Sequence, residues 1–307
     1  MDFKAAQNYL LLVAAMLFWG GSWVSAKVIV SLAPPMTIGF MRFTVATALF
    51  LVALSISGSP LRKLMSRSNL RLFLLTGVTG IFGYGVFFLI GLQFTTAAQG
   101  SIIAGFNPAM VSLFAYLIHR EHLCSRWQYS GFLLSFAGVV FVVGVQALLD
   151  FRPDYLLGNV IILCAMVMWG LYSSIGKEAM KTLSPMESTT GAVFVGMILF
   201  GLAAVFEEPW SLPVLSDPVF WANILFLGVF VTFLGYLLYF RSISYLGATR
   251  TGGFINLVPV FGTVLSVVLL GEPIYWTFIV GLVLVVSGIT LVNRHFGSAI
   301  EGSHGFR

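Results

Sequence analysis

Read for polarity alone, the chain is a succession of long apolar stretches separated by short polar ones. The apolar stretches run Asn8–Ser31, Pro35–Ile56, Leu70–Leu92, Gly100–Ile118, Trp127–Ala147, Tyr155–Gly176, Pro185–Phe206, Val219–Phe240, Gly252–Leu270 and Ile274–Val292. A helix rises about 1.5 Å per residue, so about 20 residues cross a hydrocarbon core of about 30 Å. The runs are continuously apolar and do not alternate over about ten residues, which predicts helices and not barrel strands. The expectation is an all-α polytopic membrane protein with ten transmembrane helices joined by connections too short for a soluble domain.

The polar positions inside these runs repeat. Ala15 to Lys27 reads AMLFWGGSWVSAK, and Ala165 to Lys177 reads AMVMWGLYSSIGK. Ala, Met, Trp, Gly and Lys coincide without a gap, and Pro35-Met36 then falls opposite Pro185-Met186. The chain is read as a duplication: a five-helix repeat at 8–148, a second at 155–294, and a cytoplasmic tail at 295–307. An odd number of helices per copy turns the second copy upside down, giving the inverted-topology repeats found in secondary transporters.

Composition and charge agree with this picture. The 307 residues are 59% hydrophobic and 9% charged, against about 25% charged in a soluble fold. The net charge of +5 is segregated and does not form a nucleic-acid footprint. With the N-terminus inside, Lys4, Arg62, Lys63, Arg67, Arg71, Arg120, Arg126, Lys177, Lys181, Arg241, Arg250, Arg294 and Arg307 fall on the cytoplasmic side. Lys27 and Arg152 fall outside, and Arg42 stays within a helix. This is the positive-inside bias of a cytoplasmic-membrane protein with both termini cytoplasmic. The basic loop Arg62–Arg71 also suits anionic lipid. The first span is too long for a signal-peptide core and is expected to remain in the membrane. Cys124 and Cys164 lie at different depths and match no disulfide or metal spacing. No phosphate loop, metal-ligand cluster or nucleophile with its base is present, so no enzyme, cofactor or metal is expected. No Asp or Glu falls deep in a span, which argues against a buried carboxylate as the coupling device.

Several residues within the spans carry candidate chemistry. Trp19 and Trp169 lie midway along the first helix of each copy, where a buried indole needs a hydrogen-bond partner. A central cavity would supply one, while the adjoining glycines would also permit close helix packing. Arg42 lies seven residues into the second span. Burying it costs up to about 2.5–3.5 kcal/mol at a helix centre, so it should face the bundle interior. There it would anchor an anionic group of the cargo, or else snorkel outward or pair with helix-end carbonyls. Gly83-Tyr84 is answered by Gly235-Tyr236, and Pro108 and Glu121 by Pro259 and Glu272. Mid-span prolines bend a helix, and their recurrence points to hinges that let a hairpin tilt. Asn107 and Asn256 each place an amide near that proline. Gly131 and Gly138 match Gly281 and Gly288, a small-residue face suited to peripheral packing or a homodimer seam through the fifth and tenth spans.

The order of Trp-Gly, the early second-span arginine, and proline followed by a terminal Glu resembles an EamA-type member of the drug/metabolite transporter superfamily. Leu269 to Pro273 (LLGEP) followed by Gly281 and Gly288 is similar to the close of that family's repeat. His119 to Glu121 reads HRE where Gly271-Glu272 has the familiar pair, so the two hairpin ends differ. The resemblance, from about Asn8 to Arg294, implies a cytoplasmic-membrane carrier, usually an exporter of amino acids, related metabolites or drugs. It implies a central pocket with Trp19, Trp23, Tyr84, Asn107, Trp169, Tyr172, Tyr236 and Asn256 as candidates, and the 3–4 and 8–9 hairpins as opposite gates. The expected cargo is a small molecule with a carboxylate near Arg42 and an apolar part against the tryptophans. The alternatives are a cationic or amphipathic drug held by cation–π contact, or a lipid scramblase or structural membrane protein, which would need a polar stripe open to lipid. Lipid is the surrounding partner, and the chain is expected to be a monomer or homodimer. Single cysteines placed across residues 57–69 should react with an impermeant maleimide only from the cytoplasmic side; labelling from outside would overturn the orientation.

Overall fold

A computed structural model of the chain describes residues 3–58, 66–120, 126–141, 153–246 and 254–301. Among the described residues there are helices and no strands. They are α1 (Phe3–Ile29), α2 (Pro35–Ile56), α3 (Arg67–Phe94), α4 (Ala97–His119), α5 (Arg126–Val140), α6 (Pro153–Ala179), α7 (Pro185–Glu207), α8 (Pro218–Ser242), α9 (Leu257–Leu270) and α10 (Trp276–Glu301). Seven of them, α1–α4 and α6–α8, are long and apolar enough to cross a membrane. Of the other three, α5 has 15 residues, α9 falls in a shorter apolar run at Phe254–Leu270, and α10 has 26 residues with its apolar run at Trp276–Gly288. The expected extension of the fifth span to Ala147 and the expected start of the ninth at Gly252 lie outside the described residues. So do Glu121, Cys124 and residues 59–65.

Three of the described acidic residues, Glu187, Glu207 and Glu272, hold helix N-termini. Glu207, at the end of α7, accepts from Met36 N (3.1 Å), Thr37 N (2.7 Å) and Thr37 Oγ1 (2.9 Å), capping the N-terminus of α2. Glu272 does the same for α4 through Ala97 N and Ala98 N, both at 2.8 Å. At α7 the cap is local: Ser184 and Glu187 form a capping box. The first backbone N–H groups of a helix have no intrahelical acceptor, and a carboxylate there satisfies them and meets the positive end of the helix dipole.

The helices of one half pack mainly on those of the other. α1 lies against α8 and α9, and α6 lies against α3 and α4; α2 meets α7 and α8, while α7 meets α2 and α3. α4 meets α9, and α5 meets α10. Exchanging the halves maps this pattern onto itself. The self-paired helices give the direction of the axis. Met36 at the start of α2 meets Glu207 at the end of α7. Ala97 at the start of α4 meets Glu272 just past α9, with Ser101 then reaching Thr263. Gly138 of α5 lies against Gly281 of α10, and Gly288 against Gly131. All three pairs are antiparallel. A two-fold axis along the helices would set equivalent helices parallel, so the axis here runs across them and the halves point in opposite directions.

The glycine face expected on the fifth and tenth spans is used within the chain, where it brings the backbones of α5 and α10 together. Their outward residues, such as Leu133, Phe136, Ile279 and Val283, are exposed. A Cβ on Gly288 would collide with the Gly131 carbonyl and stand 2.6 Å from Ser135 N. Backbone cannot yield as a side-chain tip can, so Gly288→Ala should destabilise the fold by about 1–3 kcal/mol. Gly176→Ala in α6, where a Cβ meets nothing within 4 Å, should be neutral or stabilising by up to about 1 kcal/mol. Thermal unfolding of the purified variants in one detergent checks the contrast.

Candidate functional site

Four stretches of irregular helix meet at the centre of the bundle, and they are paired by the duplication. α3 contains a π-helical segment at Gly77–Gly83 leading directly into Tyr84, and α8 contains one at Phe226–Leu234 leading into Gly235-Tyr236. α4 is broken at Gly105–Phe106 between Ala97–Ala104 and Asn107–His119. α9 is preceded by a matching turn at Ile255–Asn256. The turn in α4 is closed by tight i→i−3 bonds, Gly105 N to Ile102 O (3.0 Å) and Phe106 N to Ile103 O (2.9 Å). This corrects the expectation of prolines bending continuous helices. Pro108 and Pro259 stand in the first turn of a new helical segment, where a missing N–H breaks no intrahelical bond. The discontinuity is the turn before them.

These stretches enclose a cavity of about 340 Å³. It is lined by Trp19, Ser22 and Trp23 of α1, Arg42 of α2, Tyr84 and Phe88 of α3, and Trp169 of α6. α4 adds Ala104, Asn107, Val111 and Ser112; α8 adds Val231 and Tyr236; Ile255, Val258 and Pro259 complete the wall. Of the residues picked from sequence, Trp19, Trp23, Arg42, Tyr84, Asn107, Trp169, Tyr236 and Pro259 thus meet at one place. Tyr172 and Asn256 do not line it. Tyr172 is turned into α3, its ring filling the space left by the absent Cβ of Gly80, while its hydroxyl faces Thr189 and Tyr236. Asn256 is buried beside the cavity, and its Oδ1 has no hydrogen-bond partner among the described residues.

The aromatic wall is held by named contacts. The Trp19 indole donates to the Val231 carbonyl at 3.1 Å, a backbone oxygen in the π-helical segment of α8. Gly235 permits this approach, since a Cβ there would stand 2.6 Å from Trp19 Nε1. Trp19 also packs on Tyr236 (5.7 Å) and Tyr239 (5.1 Å). Tyr84 packs on Trp169 at 5.3 Å and on Phe88 at 5.7 Å. Among the described lining residues Arg42 carries the one formal charge. Its Nε and Nη2 donate to Thr232 Oγ1 at 3.2 and 3.1 Å, and its Cζ lies 4.9 Å from the Phe43 ring centroid. It makes no ion pair among the described residues, and the snorkelling reading has no helix-end carbonyl to support it.

One end of the cavity is filled by side chains. Trp23, 2% exposed, stands edge-on to Phe88 at 4.8 Å and packs over Gly100. Beyond it Thr95 donates to Asn159 Oδ1 at 2.6 Å, and Asn159 Nδ2 donates to Gln99 Oε1 at 2.6 Å, all three fully buried. Lys27 Nζ donates to the Leu92 carbonyl at 2.7 Å, satisfying the last turn of α3.

The match to known sequences decides the family. The model of the EamA-like transporter family matches residues 7–144 and again 156–294. The chain belongs to the EamA-like transporter family. It is therefore a multi-pass membrane transporter and not an enzyme. An uncharacterized transporter of Bacillus subtilis, YyaM, is 30% identical over 288 residues, covering 93% of each chain. The aromatic amino acid exporter YddG of Ancylobacter novellus is 27% identical over 154 residues, 50% of this chain and 52% of that one. A crystal structure at 22% identity superposes with a TM-score of 0.65 over 94% of this chain and 97% of the other, a likeness of fold.

The sequence reading missed Ser22, Phe88, Ser112 and Val231 as lining and Thr232 as the partner of Arg42. Thr232 was detectable as the hydroxyl interrupting the apolar run Phe226–Leu234. Val231 acts through a backbone oxygen, which no side chain announces.

Proposed function

We propose that this EamA-like transporter works by alternating access in the cytoplasmic membrane, with ten membrane-spanning helices in two inverted five-helix repeats and both termini inside. Its cargo is a small carboxylate-bearing metabolite such as an amino acid, moved outward. The observation that carries this reading is Arg42, a guanidinium facing an aromatic cavity with no anionic partner among the described residues. A charge desolvated without compensation is costly, and a cargo carboxylate supplies the missing partner. The tryptophans and tyrosines receive the apolar part. The cavity volume falls at the lower end of the range of about 300–1,000 Å³ that suits enclosed small ligands. The partial similarity to an aromatic amino acid exporter points the same way.

A cationic drug held by the same rings is the second reading. Cation–π contact contributes up to about 2 kcal/mol when desolvated. Repulsion from Arg42 for a cation about 5 Å away is about 3 kcal/mol at an effective dielectric constant of about 20. Repulsion wins, so the anionic cargo is preferred. A scramblase would need a polar groove open to lipid, whereas these polar groups face a cavity between the halves. In this proposal the α3–α4 and α8–α9 hairpins are the gates, lipid covers the outside, and any homodimer uses the outward faces of α5 and α10.

In liposome flux, guided by a thermal-shift screen of amino acids and amphipathic cations, Arg42→Ala should weaken handling of carboxylate cargo by about 10- to 100-fold. Transport of cations should be spared; equal loss for both would mark a structural arginine. Replacing Pro108 or Pro259 by alanine should slow exchange more than it weakens binding, since the turn ahead of each would propagate into helix. Unchanged exchange rates would dismiss the hinge.

A further inference from the structure

The guanidinium of Arg42 is fixed on two sides and open on a third. Its Cζ lies over the Phe43 ring, 4.9 Å from the centroid. Its side edge, formed by Nε and Nη2, is bound by one oxygen, Thr232 Oγ1. That oxygen is itself held, because the Thr232 hydroxyl donates to the Leu227 carbonyl at 2.8 Å, five residues back. A five-residue reach is the spacing of the π-helical turn that spans Phe226–Leu234. Thr232 is 1% exposed, so its rotamer is set by packing as well. Nη1 and the outward N–H of Nη2 have no acceptor among the described residues, and Arg42 lines the cavity.

We infer that Thr232 is a positioning residue for cargo recognition: it occupies the side edge of Arg42 and leaves the terminal Nη1–Nη2 edge for a carboxylate bound end-on through both oxygens. The chemistry is specific. A guanidinium offers two parallel N–H pairs, and each matches the spacing of carboxylate oxygens. With one pair committed to a hydroxyl, a single docking edge remains, and the pairing is bidentate and planar. A guanidinium clamped before binding loses little rotamer entropy when the anion arrives. Only one half of the duplication carries this device: the counterpart of Arg42 is Ala192, and in the π-helical segment of α3 (Gly77–Gly83) Gly80 stands where α8 has Thr232. The anion therefore docks off the pseudo-two-fold axis, against α2 and α8.

This inference rests on the carboxylate reading of the cavity, and the test separates the two. Binding to purified wild-type protein is measured by tryptophan fluorescence for 3-phenylpropionate and for its neutral amide, a pair that differs only at the carboxylate. Wild type should prefer the acid. Thr232→Val should reduce that preference about tenfold or more, the effect of removing a hydrogen bond to a charged group, while leaving affinity for the amide within twofold. Thr232→Ser should restore the preference, and Arg42→Lys, which keeps charge but loses the two-point fork, should not retain it. Should Thr232→Val fail to accumulate, Thr232→Ala carries the same comparison. If Arg42→Ala abolishes the preference and Thr232→Val leaves it intact, or weakens acid and amide equally, the positioning role falls and the carboxylate reading stands. If wild type binds acid and amide alike, or binds neither, the carboxylate reading itself falls.

Discussion

Lipid offers no hydrogen bonds, and that one constraint shapes this molecule. Inside a bilayer a backbone N–H or C=O without a partner costs several kcal/mol, so non-helical backbone survives only where protein or a cavity receives it. The breaks before Asn107 and Leu257 and the π-helical segments ahead of Tyr84 and Gly235 all obey this. They converge on the central cavity, and the oxygens they displace find donors: Val231 O takes the Trp19 indole, and Leu227 O takes the Thr232 hydroxyl. Irregular helix and the cavity are therefore one feature. Had these turns faced outward, the chain would have carried unpaired amides into hydrocarbon.

The frame is symmetric and the chemistry inside it is not. Antiparallel pairing of α2 with α7, α4 with α9 and α5 with α10 gives each half the same neighbours. In the proposed cycle such a frame would take up two equivalent arrangements of its hairpins. Selectivity needs the opposite, a site that tells one end of a ligand from the other. Ala192, the counterpart of Arg42 in the second half, is fully buried in an apolar cluster with Phe43, Ile81 and Phe200. Close packing on one side of the pseudo-axis and a clamped cation on the other give the cavity its polarity.

The sequence made some of this legible. Seven of the ten expected spans are helices long and apolar enough to cross a membrane, and these were legible because lipid imposes a threshold on apolar run length that composition cannot disguise. The opposed halves followed from the repeat and the count of helices in it. Trp19, Trp23, Arg42, Tyr84, Asn107, Trp169 and Tyr236 were legible because each is costly in lipid and therefore turned inward. Tyr172 met the same criterion and still missed the cavity, since a glycine on the neighbouring helix opened a groove for its ring. Which inward direction a side chain takes depends on Gly80, a residue nearly 100 positions away in sequence, and no local pattern carries that. The π-helical segments were equally hidden, as one extra residue in a turn leaves hydropathy unchanged. Thr232 gains its meaning only from the partner that such a turn presents to it.

The carboxylates complete the argument about energetics. Among the described residues Glu187, Glu207, Asp217 and Glu272 cap helices, Glu178 pairs with Lys181 in the last turn of α6, and none lines the cavity. Glu272 holds the start of α4 with two charge-assisted hydrogen bonds, and Lys27 holds the end of α3 just across the turn. In the proposed cycle, opening this end pulls the α3–α4 hairpin away from both. Each freed group then faces water and not hydrocarbon, so bonds to protein are exchanged for bonds to solvent at a net cost of about 1–3 kcal/mol each. The same carboxylate stranded at mid-membrane would cost far more, and the gate would not open on a useful timescale. In that cycle acidic residues at helix ends would hold a gate closed while leaving its opening within reach of the binding energy of a small cargo.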